Sequence, residues 1–226
     1  MIGIIAAMDA EVNAMKAFVT VTKTETIAGV ELTYGNVDGK DVVLCKSGVG
    51  KGFAAMATAI LCMQAKPDAI INIGTAGGLR LNENVFDIVI SDTIVQADYD
   101  TSPLDGESGK GLIFKPDDTM RDACIEAAKQ CNISYHVGTI ASQDLFMERK
   151  EDYDKLIAHF PESICSEMEA GAIAQVASKF NIPFVIGRSL SDVVGKGNNS
   201  IDFMKYVELA SEQSAKLVKT WIEMIA

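Results

Sequence analysis

The chain has 226 residues, of which 48% are hydrophobic and 23% charged; this suits one large domain or two small ones and excludes an intrinsically disordered protein. The formal net charge of −11 argues against nucleic acid and anionic membranes as partners, because both require a basic surface. A small neutral or zwitterionic substrate remains compatible with this charge.

The N-terminal sequence, MIGIIAAMDAEV, has a short apolar run without a basic leader or a clear cleavage site, so we expect no signal peptide. No apolar stretch reaches the length of a membrane span. The five cysteines, at positions 45, 62, 124, 131 and 165, contain no CxxC pair and predict buried free thiols in a reducing cytoplasm. His136 and His159 lack the spacing of metal ligands, and no metal or organic cofactor is indicated.

The first third of the chain alternates apolar runs with helical patterns. Residues 2–7 are too few for a helix and predict a buried strand. A helical pattern follows, with Val12, Met15, Phe18 and Val19 on one face. Two strand-like segments, 30–37 and 42–46, are joined at Asp38-Gly39, a pair that favours a hairpin. A glycine-rich turn at 48–52 then leads into a helix over 53–64.

The remaining elements continue the alternation of buried strands and helices. Strands are predicted at 69–73, 88–95, 137–141 and 183–188, and helices at 117–130, 148–158, 167–180 and from 202 to the end, where Trp221 is expected to pack. Residues 97–111 are polar and predict a long loop, of a length that is usually functional or mobile. We therefore expect an α/β fold: a three-layer αβα sandwich around a mixed, mostly parallel twisted sheet, forming one domain over residues 1–226.

Ligands of such sheets bind beyond the carboxyl ends of the strands, where this sequence places several polar segments. These segments are Met8 to Glu11, the GTAGG turn at 74–78, residues 142–147, residues 166–170 and Ser189 to Asp192. Taken singly, these segments have structural explanations: Glu11 as a solvated helix-start carboxylate, GTAGG as a tight turn that is neither a P-loop nor GxGxxG, and Asp192 as a helix cap or turn former. Glu167 and Glu169 would not share a helix face, so one could turn inward while the other meets solvent.

The combination of segments is more specific. GIIAAMDAEV (3–12), KSGVGKGFAA (46–55), INIGTAGGL (71–79), SEMEAGAIA (166–174) and IPFVIGRSLSDVV (182–194) occur in order over nearly the whole chain. Together they resemble the nucleoside phosphorylase/nucleosidase superfamily, and within it the 5′-methylthioadenosine/S-adenosylhomocysteine nucleosidases. The resemblance implies a nucleoside phosphorylase-like fold, no cofactor, and hydrolysis of the N-glycosidic bond of these nucleosides and of 5′-deoxyadenosine, in methionine salvage and the methyl cycle.

The implied reaction breaks the bond between ribose C1′ and adenine N9 through an oxocarbenium-like state. It needs a proton on the leaving purine, a positioned water and a grip on the ribose, and two carboxyl groups can supply acid and base. By resemblance, Asp192 is the general acid toward adenine N7 and Ser191 holds it. A largely closed apolar pocket can keep such a carboxyl protonated. Glu11 would orient and deprotonate the water, with Arg188 and Thr75 close to it.

The resemblance also assigns the substrate-binding residues. Glu169 would accept hydrogen bonds from the ribose 2′- and 3′-hydroxyls, with Met168 packed against the sugar. Phe146 would stack on adenine while the Met147 backbone reads its edge, and Phe203 is a candidate lid over the 5′ group. The other candidate substrate-binding residues are Thr75, Ala76, Gly77 and Glu167. Ordinary core packing for Phe146 and Met168, and helix packing for Phe203, are the alternative interpretations.

Four other functions are alternatives to hydrolysis of these 5′-modified adenosines. A phosphorylase of the same superfamily would need cationic clamps for phosphate, but Glu11 would repel phosphate and Asn72 stands where such phosphorylases commonly have arginine. A futalosine hydrolase or AMP nucleosidase would share the chemistry, although no basic cluster is evident for a 5′-phosphate. A non-catalytic nucleoside-binding module would not need Glu11, Glu169 and Asp192 together.

The segment 96–104 departs from the pattern of its relatives, because Gln96 replaces a common histidine. In those relatives this region lies at the dimer contact and lines the 5′ pocket of the partner subunit. The resemblance therefore implies a homodimer with loop 97–111 at the contact. The preference among methylthioadenosine, S-adenosylhomocysteine and 5′-deoxyadenosine stays open.

Overall fold

The computed structural model describes residues 1–196 and 199–225. The strands are β1 (Ile2–Ala6), β2 (Thr20–Ile27), β3 (Val30–Val37), β4 (Lys40–Lys46), β5 (Ala69–Gly78), β6 (Ile88–Asp100), β7 (Lys110–Phe114), β8 (Tyr135–Ser142), β9 (Ser163–Glu167) and β10 (Phe184–Val193). The helices are α1 (Asp9–Lys16), α2 (Lys51–Gln64), α3 (Ser102–Asp105), α4 (Asp118–Gln130), α5 (Lys150–His159), α6 (Ala170–Phe180) and α7 (Asn199–Met224), with a 3₁₀ turn at Gly106–Gly109.

The strands form one mixed sheet with a parallel centre. β1 lies between β4 and β5 and is parallel to both, and β5 is parallel to β10. β10 also pairs with β6, β6 with β8, β8 with β9, and β9 returns to β5. Five strands therefore close into a ring, which brings the ends of β5, β8, β9 and β10 together.

Helices cover both faces of the sheet. Consecutive residues of β1 point to opposite faces, so Ile4 packs with Met15 and Trp221 beneath α1, α4 and α7, whereas Ile5 packs with Leu61 and Ile173 beneath α2 and α6. Buried aliphatic side chains fill both interfaces. The predicted three-layer αβα sandwich is confirmed, while the interpretation as one domain stays a prediction.

Helix α7 contributes much of one helical layer. It packs on β10, β5, α1 and α4, and its Trp221 is fully buried, donating a hydrogen bond to the carbonyl of Met120. The helix begins at Asn199, three residues before the predicted start. Within the described ranges, none of the helices is both long and apolar enough to cross a bilayer.

The N-terminal half follows the sequence-based prediction except at its edge. The hairpin at Asp38-Gly39 is confirmed, since both residues have positive φ and join β3 to β4. The predicted continuation of the first helix to Val19 is wrong: α1 ends at Lys16. Strand β2 follows it and was not predicted, because this edge strand is mostly exposed and lacks a pattern of alternating apolar residues.

Three further predictions near the carboxyl ends of the strands are wrong. Residues 97–111 do not form one loop, because β6 continues to Asp100 and α3, a 3₁₀ turn and the start of β7 follow. The helix predicted from 167 begins only at Ala170, since residues up to Glu167 belong to β9. The strand predicted to end at 188 continues to Val193 as β10, which places Ser191 and Asp192 within a strand.

Candidate active site

A cavity of about 420 Å³ lies at the junction of β5, β8, β9 and β10. All thirteen residues proposed from the sequence line it: Glu11, Thr75, Ala76, Gly77, Phe146, Met147, Glu167, Met168, Glu169, Arg188, Ser191, Asp192 and Phe203. They come from six separate segments of the chain. The structure therefore brings these residues together at one place, and their roles as catalytic and substrate-binding residues stay predictions.

Glu11 is fixed at one side of the cavity by four hydrogen bonds. Its Oε2 accepts from the backbone amides of Ala7 (2.8 Å) and Met8 (3.0 Å), and its Oε1 accepts from the amide (3.0 Å) and hydroxyl (3.4 Å) of Thr75. The carboxyl is almost fully buried. Because Met8 is the N-cap of α1, Glu11 also lies in the first turn of that helix, but its burial contradicts the alternative of a solvated helix-start carboxylate.

Asp192 faces the cavity from β10. Its carboxyl is buried and accepts a hydrogen bond of 2.9 Å from the hydroxyl of Ser191. The register with β5 shifts between Leu190 and Asp192, and such bulges re-aim side chains. Burial raises the pKa of Asp192 to about 6; the Ser191 hydrogen bond opposes the rise and the charge of Asp202 adds to it.

Glycines of β5 leave room for both carboxyl groups. A methyl group added to Gly74 would lie 2.8 Å from Oε1 of Glu11, and one added to Gly77 would lie 3.1 Å from Oδ2 of Asp192. Positions three residues apart on a strand are separated by roughly 10 Å. Both carboxyls therefore lie against β5, at separate positions, and both line the same cavity.

Glu169 is a further carboxyl that lines the cavity. It is the N-cap residue of α6; its Oε1 accepts from the amide of Gly50 (3.0 Å), and its Oε2 accepts from a guanidinium nitrogen of Arg188 (3.3 Å). Burial raises the pKa of Glu169 to about 7 against the opposing charge of Arg188, and the neighbouring carboxyls Glu167 and Glu11 raise it further.

Glu167 is buried as well, which corrects the expectation that one of this pair would face solvent. Both carboxyls are nearly inaccessible, because Glu167 ends strand β9 and Glu169 starts α6, so they do not occupy two positions of one helix. Glu167 forms an ion pair of 2.5 Å with Arg188 and accepts a hydrogen bond from Ser142. The burial of both carboxyls depends on β9, a strand that local sequence patterns do not predict.

Aromatic side chains form the outer part of the cavity. Phe146 and Phe203 contact each other edge to face, with ring centroids 5.5 Å apart. Phe146 is 41% exposed, so it belongs to the rim of the cavity and not to the core. Met147 beside it is buried. The plain core interpretation of Phe146 is thus wrong.

Gln96 does not line this cavity. Its amide donates to the carbonyl of Gly171 (3.1 Å) and to the side chain of Gln175 (2.8 Å), so the residue packs against the first turns of α6. The departure from the pattern of the relatives therefore falls, within this subunit, on the support of α6.

Several lining or supporting residues were missed from the sequence. The cavity wall also includes Ala7, Met8, Val49, Leu79, Leu145, Ser166 and Val194. Gly50 and Ser142 hold Glu169 and Glu167 through hydrogen bonds. The positions of Gly50 in a glycine-rich turn and of Ser142 at a strand end were the available signals, but their partners lie far away in the sequence.

The charge of the cavity is unfavourable for a phosphate ion. Among the described residues that line it, Glu11, Glu167, Glu169 and Asp192 are acidic and Arg188 alone is basic. One guanidinium nitrogen, Nη2, donates to Asn72 (2.6 Å) and to two of the carboxyls, whereas Nε has no partner among the described residues. A phosphate ion would need several cationic donors, and four carboxyl groups against one guanidinium favour water as the second reactant.

Comparisons with known proteins agree with this geometry. The sequence profile of the phosphorylase superfamily matches residues 1–223. A 5′-methylthioadenosine/S-adenosylhomocysteine nucleosidase of Halalkalibacterium halodurans is 42% identical over 96% of this chain and 95% of that protein.

Two solved structures are similar to this chain over nearly its whole length. The nucleosidase of that name from Colwellia psychrerythraea, in complex with adenine, is 38% identical, with a TM-score of 0.93 over 98% of this chain and 94% of that one. A futalosine hydrolase of Helicobacter pylori has a TM-score of 0.92 over 99% of this chain and 97% of that one, but only 25% identity. The fold is thus common to both, whereas sequence identity favours the first.

Proposed function

Because the chain belongs to the phosphorylase superfamily and, within it, to the 5′-methylthioadenosine/S-adenosylhomocysteine nucleosidases, we propose that it is an N-glycosyl hydrolase that releases adenine from these nucleosides. One observation supports the mechanism: the buried carboxyls of Glu11 and Asp192 line one cavity, each against a different glycine of β5. A general acid and a general base on either side of an anomeric carbon are what hydrolysis of a glycosidic bond requires.

Asp192 is the general acid in this proposal. Cleavage of the C1′–N9 bond leaves electrons on the purine, and a proton delivered to N7 turns it into a neutral leaving group. The pKa of about 6 keeps a fraction of Asp192 protonated near neutral pH, because burial disfavours its charged form. Ser191 orients the carboxyl by donating to Oδ1, which leaves Oδ2 directed over Gly77.

Glu11 positions and deprotonates the water. All its hydrogen bonds to Ala7, Met8 and Thr75 use the carboxyl as an acceptor, the role of an ionised carboxylate. The water adds to C1′ as the bond to N9 breaks, and its proton passes to Glu11. Positive charge that develops on the sugar is stabilised by the surrounding carboxylates.

The remaining lining residues bind the nucleoside. Glu169 accepts hydrogen bonds from the ribose hydroxyls, and Met168 packs against the ring. Phe146 stacks on adenine, and Phe203 covers the 5′ substituent. The outer wall beside them, with Val49 and Met8, is apolar and suits a methylthio group.

Release of free adenine in phosphate-free buffer tests the proposal directly. A nucleosidase produces adenine and a free 5′-substituted ribose at a rate that added phosphate does not increase. Dependence on phosphate, with a sugar 1-phosphate as product, would instead establish the phosphorylase alternative. The substrates compared in this assay are methylthioadenosine, S-adenosylhomocysteine, 5′-deoxyadenosine, AMP and futalosine. Their relative rates identify the preferred 5′ group.

A homodimer is part of the same proposal, with segment 97–111 at the contact. Leu104 in this segment is 87% exposed and Phe53 on α2 is 61% exposed, and large apolar side chains at a surface mark association sites. Light scattering should give twice the mass of the chain, and Leu104→Lys should lower it. We also place the enzyme in the cytoplasm, in keeping with its five free cysteines, four of them buried.

A further inference from the structure

Glu167 is held at the cavity wall by four donors of the protein, three of them on one oxygen. Its Oε2 accepts from the amides of Glu169 (2.9 Å) and Ala170 (2.8 Å) and from Arg188 (2.5 Å), while its Oε1 accepts from the hydroxyl of Ser142. Each carboxylate oxygen offers about two acceptor sites, so Oε2 is fully used and Oε1 keeps about one. At most one acceptor site of Glu167 is left, which is too few to bind both hydroxyls of a ribose.

Glu169 differs in this respect. It receives one hydrogen bond from Gly50 and a long one from Arg188, which leaves about two acceptor sites for a ligand. Two free sites match the two hydroxyls of a ribose. Glu167 is therefore bonded to the protein, whereas Glu169 keeps free oxygens that can bind the substrate.

We propose that Glu167 is a positioning residue, which holds Arg188 and the first turn of α6 so that Glu169 presents its free oxygens to the substrate. This inference rests on the proposed function, and it replaces the expectation that Glu167 itself binds substrate.

The bonds of Glu167 explain how it acts at a distance. The amides of Glu169 and Ala170 lie at the start of α6, where backbone donors have no partners within the helix. Ser142 extends the clamp, because its hydroxyl oxygen accepts from the amide of Gly171 (2.7 Å) while its proton is donated to Glu167. Three consecutive amides of the helix start are thus held by two side chains.

Arg188 is the second group that Glu167 controls. The guanidinium is shared between Glu167 and Glu169, and the nearer of the two carboxyls is Glu167. The negative charge of Glu167 also raises the pKa of Glu169. Loss of that charge should turn Arg188 toward Glu169 and stabilise its ionised form.

The test is a titration of Glu169 in the ligand-free protein, followed by carboxyl ¹³C NMR and assigned with Glu169→Gln. In Glu167→Gln the titration of Glu169 should move to lower pH by about one unit, and in Ser142→Ala by less. Glu83→Gln is the matched control, because Glu83 is also a buried carboxyl but does not line the cavity. An unchanged titration in Glu167→Gln would overturn the proposal, whether or not the protein hydrolyses nucleosides.

A double-mutant cycle separates positioning from direct binding. In the wild type, Glu167→Gln should lower kcat/KM for adenine release by about 10- to 100-fold, with adenine affinity unchanged. In the Glu169→Gln background, the same change should cost less than about threefold, because Glu167 acts through Glu169. Additive losses would mean that Glu167 binds the substrate itself. If Glu167→Gln does not fold, Ser142→Ala carries the same cycle.

Discussion

The hydroxyl of Ser191 donates a hydrogen bond of 2.9 Å to Oδ1 of Asp192, its neighbour on β10. Adjacent residues of a regular strand point to opposite faces, yet both of these residues line the cavity. The register shift beside them permits this. The bulge therefore places a carboxyl and the hydroxyl that tunes it on the same side of the sheet.

Ser191→Ala should change the pH dependence of the reaction. The Ser191 hydrogen bond lowers the pKa of Asp192, so its removal raises that pKa above about 6. The pH at which kcat falls as the acid loses its proton should then move upward by up to about one unit. Profiles of kcat against pH check this. Ser189 is a buried serine on the same strand, and Ser189→Ala should leave the pH at which kcat falls unchanged.

Glu11→Gln should stop hydrolysis without unfolding the protein. A glutamine can still accept hydrogen bonds from Thr75 or Met8, but it cannot take a proton from water. We expect kcat to fall by about 10²- to 10⁴-fold. Steady-state rates and thermal melting are the measurements, with Asp9→Asn in the same helix turn as the control. Full activity with an unchanged melting temperature would refute the role of Glu11 as base.

The stability of the protein should depend on pH through Asp192. Its pKa is raised in the folded state, so its favourable contribution is complete below about pH 4 and is lost as the pH rises through about 6. Above that pH the wild type carries the cost of an ionised carboxyl in a buried site, which Asp192→Asn does not have. The free energy of unfolding of this variant should therefore exceed that of the wild type at pH 8 by about 1–3 kcal/mol. Urea unfolding at several pH values should show the advantage shrinking toward pH 4; an advantage independent of pH would contradict the raised pKa.

Phe203 should contribute to the binding of nucleosides that carry a 5′ substituent, and little to the binding of adenine alone. Its ring meets Phe146 at the rim, so Phe203→Leu removes cover from the 5′ side of the cavity. KM for methylthioadenosine should rise by about tenfold, consistent with the loss of an aromatic contact, while the affinity for adenine changes little. Titration calorimetry and kinetics measure both. Phe180→Leu, on the surface of α6, is the control, and equal effects of the two variants would assign Phe203 to helix packing.

The sequence was informative where short segments determine structure. Apolar runs located β1, β5 and β10, and the residues just beyond or at their ends included Glu11, Thr75 and Asp192. The Asp38-Gly39 hairpin follows from local turn preferences. These features depend on neighbours in the chain, so a single sequence suffices to predict them.

Other features depend on contacts between distant segments. The burial of both Glu167 and Glu169 requires β9, a short strand that pairs with β5 through Ser166 and Gly77. The partners of Glu169, Gly50 and Arg188, come from a turn more than a hundred residues away and from the following strand. Such pairings follow from the closed ring of strands, which no local pattern encodes.

Single-turnover release of adenine by Asp192→Asn at pH 7 tests the central claim most directly. The asparagine keeps the shape of the acid but cannot protonate N7, so we expect tight nucleoside binding and a rate of cleavage about 10²- to 10⁴-fold lower than in the wild type. Asp118→Asn, the same change at an exposed position of α4, should retain the wild-type rate. Cleavage by Asp192→Asn at a rate near that of the wild type would contradict the account.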